Sequence, residues 1–204
     1  MAKPRYGDYV FLNCPFDAGY DGIMKAVVFT VLHCGFVPRC AKELEDSGVV
    51  RMDKIFRLIG QCRFGVHDIS RTELDKTSKL PRFNMPLELG VFLAAKRYGR
   101  DPHNKKVCII LDKDQYRYQK FISDIAGQDI KHHSNSPERC TAIIRDWLSA
   151  HSRRKAMPTG DIIWDKYQLY LSELPDLCAK LNQSQHMLTY NDYVRLTANW
   201  LKQN

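Results

Sequence analysis

The sequence contains no apolar run approaching the roughly 20 residues that a membrane span requires. Its start, "MAKPRYGDYVFLN", lacks a signal-peptide profile, so a cytoplasmic protein is the expectation. It has no Walker A sequence and no GxGxxG, which removes the P-loop and the standard dinucleotide fingerprint. It has no HExxH, no GxSxG and no paired histidines at ligand spacing. His132 and His133 are adjacent, which suits a strand or turn better than a shared metal, and no metal site is expected. The 7 cysteines are odd in number, form no CxxC, and mostly stand in apolar contexts such as "VLHCGF" and "KVCIIL". Reduced core thiols fit this usage better than a disulfide or zinc framework. Cys14, in "LNCPFD", is the one that could line a site, or it is a small residue in a tight loop.

There is no zinc finger and no interleaving of aromatic with basic residues, so the net charge of +8 points to no nucleic acid. The basic clusters "AAKRYGRDPHNKK" and "AHSRRKAMP" fall near expected helix ends, where cations complement the helix dipole. An anionic small molecule, such as a dinucleotide, would be served by the same charge. No internal repeat or low-complexity stretch is visible.

What is present is alternation. A chain of 204 residues, 44% hydrophobic, can bury one substantial core or one domain with an appendage. "DYVFLNCPFD" reads as a buried strand that stops at Asn13 to Pro15, and "YDGIMKAVVFTVLHCG" as a helix ended by Gly35. "FVPRCA" is a second strand, "RMDKIFRLIGQC" a helix, and "RFGVHDIS" a third strand followed by a polar loop. "NMPLELGVFLAAKRYG" is a helix with Asn84 as its cap and Pro86 in its first turn. "KVCIILD", the most continuously apolar strand, is expected to be central. "QYRYQKFISDIAG" reads as a helix, "QDIKHH" as a weak strand and "SPERCTAIIRDWLSAH" as a helix with a Ser or Pro start.

This alternation predicts an α/β fold, a flavodoxin-like parallel sheet with helices on both faces, over residues 1–150. Residues 151–204 form a C-terminal helical extension in which Pro175 separates two helices. Its apolar stripes, Ile162, Ile163, Tyr167, Tyr170, Leu171 and Leu174, then Tyr193, Leu196, Trp200 and Leu201, fit packing on the core or self-association.

Open parallel sheets bind ligands outside the carboxyl ends of their strands. After the first strand come Asn13, Cys14, Phe16, Asp17 and Tyr20; after the second, Arg39, Asp46, Ser47 and Arg51. After the third come Asp68 and Arg71, then Arg82, Phe83, Asn84 and Glu88. Carboxylates and amides for ribose, arginines for phosphate and rings for a base make up a nucleotide pocket. Each residue also has a plain structural reading. Glu88 could be a solvated charge at a helix start, Asp68 a turn or cap, and Arg82 and Phe83 ordinary loop residues. For Arg51 the structural role, opening its helix or pairing with Asp46, is the stronger reading.

The succession "VFLNCPFD", "GVHDIS" and "RFNMPLELGVFLAAKR" resembles the TIR-like and nucleoside 2-deoxyribosyltransferase-like proteins, over residues 8–150. The resemblance implies a glutamate at the start of the helix after strand three, aimed at an N-glycosidic bond; Glu88 takes that place. It makes Asp68 and Asn84 groups that orient the ribose or the glutamate. Asn13, Phe16, Asp17 and Tyr20 then flank the substrate, and residues 39–51 form a mobile gating loop. Where a TIR domain carries a serine-rich first box and a tryptophan ahead of its glutamate, this chain has "NCPFD" and "FNMPLE". The implied activity is cleavage of NAD as substrate, with no other cofactor, in bacterial antiviral defence. Such enzymes often self-associate or answer to a partner protein of the defence system. A nucleoside or nucleotide N-glycosidase or deoxyribosyltransferase on the same scaffold, and a non-enzymatic TIR-type interaction module, are the alternatives. A receiver-type phosphoacceptor domain would need an acidic pair after strand one, which "NCPFD" does not offer.

Overall fold

The computed structural model describes residues 4–74, 79–152, 154 and 157–204. The expectations that touched residues 75–78, in the polar loop, and 153, 155 and 156, in a basic cluster, lie outside the described residues. Five parallel strands, β1 (Tyr9–Asn13), β2 (Val37–Arg39), β3 (Phe64–Asp68), β4 (Val107–Asp112) and β5 (Lys131–His132), form one sheet in the order β2-β1-β3-β4-β5. This is the flavodoxin-like order, whose topological switch lies between β1 and β3.

The alternation of strand side chains sorts the two layers. Val10 and Leu12 pack with Phe64, Val66 and Leu111 against one helical layer, α1 (Asp21–His33) and α4 (Pro137–His151). Phe11 turns to the other face, where Ile55, Leu58 and Ile59 of α2 (Arg51–Gln61) meet Phe92 of α3 (Asn84–Tyr98). Gly35 ends α1 with φ of +78°, a conformation that costs a side chain, while Phe36 N–H bonds back to Val31 O at 3.0 Å.

The C-terminal extension is α5 (Gly160–Lys180) and α6 (Tyr190–Gln203). Its buried stripe belongs to the same apolar cluster as α1 and α4. Phe29 of α1 stacks on Tyr170 at 5.5 Å, and Tyr167 and Trp200 surround it. Of the residues expected to serve either core packing or self-association, Ile163, Tyr167, Tyr170, Leu174, Tyr193, Leu196 and Trp200 are thus buried by their own chain, Leu171 and Leu201 are half-buried, and Ile162 is exposed. Among the described residues no helix is long and apolar enough to cross a membrane.

Four sequence expectations need correction. First, β3, not β4, is central: His67 and Asp68 disguise a strand whose five residues are all buried. Second, "QYRYQKFISDIAG" is not a helix but two 3-10 turns, Arg117–Lys120 and Ser123–Ile125. Tyr116 ahead of them is left-handed, with φ of +58°, and Arg117 is drawn to Asp112, Thr72 and the carbonyls of Ile69 and Ser70. Third, Pro175 lies inside α5 without ending it. It faces solvent, where the carbonyl it frees can meet water, while Leu174 and Cys178 hold the buried side through. Fourth, Asn84 does not cap α3. It is the first helical residue, and Phe83 before it makes no side-chain capping bond.

Candidate active site

At the carboxyl edge of the sheet, on the β1 and β3 side, lies a cavity of about 240 Å³. Phe16 and Asp17 reach it from the loop after β1, and Arg71 from the loop after β3. Arg51 enters from the first residue of α2, and Arg82, Asn84 and Met85 from the approach to α3 and its first turn. Four segments far apart in sequence thus converge where a parallel sheet holds its ligand. A larger groove, of about 530 Å³, runs along the outer edge of β4 and carries none of the residues singled out in the sequence.

Glu88 is one helical turn beyond Asn84 and three residues beyond Met85, so it lies on the helix face that looks to the cavity. Its side chain is only 4% exposed, and among the described residues it makes no hydrogen bond or ion pair. Burial pushes its carboxyl up to about 7, and the Arg51 charge pulls against that rise. A carboxyl with this environment holds or releases a proton near neutrality and is free to serve a reacting atom.

The inner wall starts from Asn13, which the sequence had placed beside the substrate. Asn13 is buried; its Nδ2 donates to Met85 O at 2.8 Å and lies 3.0 Å from His67 Nδ1. That bond clamps the first turn of α3 onto β1, which sets where Glu88 stands. His67 is neutral: burial, then the Lys106 charge, lowers it to about 3. Its ring meets Phe92 edge-on at 4.8 Å. Gly65 makes room for this contact, because a Cβ there would come within 2.8 Å of both rings. A glycine in β3 therefore lets α3 approach the sheet closely.

Asp68 is fully buried behind this wall. It accepts from Tyr20 Oη at 2.6 Å and from Ser70 N–H at 2.8 Å, and His133 Nε2 lies 3.0 Å away. Asn135 N–H donates to His133 Nδ1 at 3.0 Å, so the imidazole proton belongs on Nε2, facing Asp68. Burial alone would raise the Asp68 carboxyl; its bonds to His133, Ser70 and Tyr20 outweigh that and hold it below its ordinary range. Cys14 is equally buried, and burial followed by the Asp68 charge pushes its thiol well up. Cys14, Tyr20 and Asp68 thus knit β1, α1, β3 and the loop before α4 together, and none of them lines the cavity.

The second-strand residues are spent elsewhere. Arg39 makes a bidentate pair with Glu43 and lies over the Tyr9 ring at 5.0 Å. Asp46 accepts from Gly48 N–H at 2.9 Å in a tight turn, and Ser47 is exposed beside it. The loop they belong to is tied down by Lys54, which bonds Leu44 O and Asp46 O, and by Asn191 of α6, which donates to Glu43 O at 3.2 Å. Phe83 is exposed at the start of α3, outside the cavity lining.

Of the expected residues, the cavity gathers Phe16, Asp17, Arg82 and Asn84, with Glu88 behind them. Sequence reasoning undervalued Arg51, which opens α2 as expected but makes no ion pair with Asp46; it named Arg71 and His67 only among the polar residues at the end of the third strand and gave His133 no place in the site. The signal for the two arginines was position, each standing where an element begins or ends at the sheet's carboxyl edge. Among the described residues no group of three His, Cys, Asp or Glu is placed to hold a metal ion. Compared with known proteins, the chain matches no family model, no curated protein and no solved structure.

Proposed function

We propose that the chain is an N-glycosidase that consumes NAD, cutting the nicotinamide–ribose bond with Glu88. The observation that carries this reading is a buried carboxyl, without hydrogen-bond partners among the described residues and held at about 7, one turn inside a cavity at the sheet's switch point. Nicotinamide leaves with the bonding pair and becomes neutral, while cationic character develops at C1′. Ionised Glu88 stabilises that charge or captures the carbon. Water then supplies the oxygen at C1′ and gives up a proton, so NAD and water become ADP-ribose, nicotinamide and a proton. Asn13 and His67 position α3, and Asp68 with Tyr20 and His133 stiffens the wall behind it. The resemblance to TIR-like enzymes supplies the setting, depletion of NAD during antiviral defence.

A second reading, a nucleoside phosphate as the substrate of the same chemistry, is favoured by the cavity's modest volume of about 240 Å³. The test is to incubate the purified protein with NAD and with a panel of nucleosides and nucleotides and to identify products by mass. Cleavage by the wild type and none by Glu88→Gln, at matched folded protein, is the expected result. Equal turnover by both overturns the reading.

A further inference from the structure

We infer that this cavity is a phosphate site, and that its ligands are phosphorylated ribosides recognised through the phosphoryl group next to the ribose. Three guanidiniums line it, Arg51, Arg71 and Arg82, each from a different segment. Among the described residues only Arg71 has a carboxylate, Asp17 at 3.1 Å. Among the described residues Arg51 and Arg82 make no hydrogen bond or ion pair, and both are exposed to the cavity. Among the described residues, three cations against one paired anion leave the space with an excess of positive charge. Glu88, buried and poised near neutrality, offsets it only in part.

The helix ends point the same way. Both α2, from Arg51, and α3, from Asn84, begin at the cavity, and neither has a side-chain cap. An open end is not peculiar to the cavity, since α1 and α5 also lack a side-chain cap while Ser136 caps α4 and Thr189 caps α6; what sets α2 and α3 apart is that their open ends adjoin the guanidiniums. Uncapped first-turn N–H groups on two helices add to the three guanidiniums, and that combination suits the oxygens of a phosphoryl group. A volume of about 240 Å³ encloses one phosphate-and-ribose end rather than a whole dinucleotide, since sites for drug-sized ligands run to roughly 300–1,000 Å³. The ribose that is cut then lies beside Glu88, its own 5′-phosphate is held by the arginines, and the remainder of a dinucleotide runs out to solvent.

The cleavage arm of this inference rests on the N-glycosidase reading; the binding arm does not. Calorimetric titration of the full chain with ribose 5-phosphate, AMP and adenosine, at two salt concentrations, reads the binding. Ribose 5-phosphate and AMP are expected to bind and adenosine to bind at least about tenfold more weakly. Arg51→Ala and Arg82→Ala are each expected to weaken the phosphates by about tenfold or more and to leave adenosine unchanged. Both side chains are exposed, so unchanged melting temperatures will accompany the loss. In the cleavage arm, nicotinamide mononucleotide is expected to be cut and nicotinamide riboside spared. Adenosine binding as tightly as AMP, or arginine variants that hold the phosphates as well as the wild type, overturns the inference. Arginine-dependent binding of ribose 5-phosphate without cleavage of any pyridine nucleotide upholds it and removes the NAD-consuming reading instead.

Discussion

Glu88 and Asp68 are both buried carboxyls, and their surroundings drive them in opposite directions. Unfolded, Glu88 ionises near 4.5; folded, near 7. Between those values the native state holds the extra proton, so stability falls as pH rises through the window and stays at the lower level above it. Glu88→Gln is therefore expected to stabilise the protein at pH 8 by on the order of 2–3 kcal/mol, while abolishing cleavage. The gain should fade as pH drops toward 4.5, and urea unfolding at pH 8, 6 and 4.5 measures it. Cleavage by the wild type should lose activity as pH falls through about 7, because the ionised form is the one that works.

Asp68 carries the other sign. Its folded carboxyl is held below its ordinary range, so its stabilisation is present above the unfolded value and disappears as acid protonates it. Asp68→Asn leaves Tyr20 and His133 facing an amide inside the core and is expected to cost about 3 kcal/mol or more. Asn84, exposed and making no capping bond, gives the contrasting outcome: Asn84→Ala is expected to lower turnover with a stability change within about 0.5 kcal/mol. A melting series on the two variants, with activity per folded molecule, separates these roles. The gathering of polar, charged and aromatic residues at the sheet's carboxyl edge was legible in the sequence. Which of them face the cavity and which face inward was not, because neighbours such as Asn13 and Asp17 differ only in the direction the chain turns after the strand.

At the scale of elements, periodicity was reliable wherever one face is buried along the whole length. That is why α1, α2 and α4 and the run of parallel strands could be read from the sequence. It found β3 but misjudged its rank as the central strand, because the partners that satisfy His67 and Asp68 lie out of sequence, on β1, at the start of α1 and in the loop before α4. It failed again after β4, where the tertiary bonds of Arg117 override a local helical pattern. The same kind of non-local satisfaction ends α2. Lys106, buried at the opposite end of β4, reaches across to donate to the carbonyls of Ile59 and Cys62 and lies over the Phe92 ring at 4.6 Å. Burial lowers its ammonium to about 8. Lys106→Met keeps the aliphatic stem but strands both carbonyls, and is expected to cost about 1.5–3 kcal/mol of unfolding free energy, measured in denaturant near pH 7.

For the whole molecule, the C-terminal helices are not an ornament on a finished domain. Phe29 of α1 has Tyr167, Tyr170 and Trp200 for neighbours, and Thr197 bonds Tyr170 Oη at 3.0 Å inside the same layer. A chain ended at residue 151 would expose that aromatic cluster, and it is expected to aggregate or to lose its cooperative thermal transition, which calorimetry on the truncated and full chains will show. The other flank of the molecule is finished differently. The strand β5 has only two residues, and it pairs with β4 at Leu111 and Asp112 alone. Val107 N–H turns inward to Arg63 O, so by the alternation of a strand Cys108 and Ile110 direct their amides outward, into the groove beyond the sheet. In heavy water this half of β4 should therefore exchange in a two-beat rhythm, the amides of residues 107 and 109 keeping their protium long after that of Cys108 has been replaced.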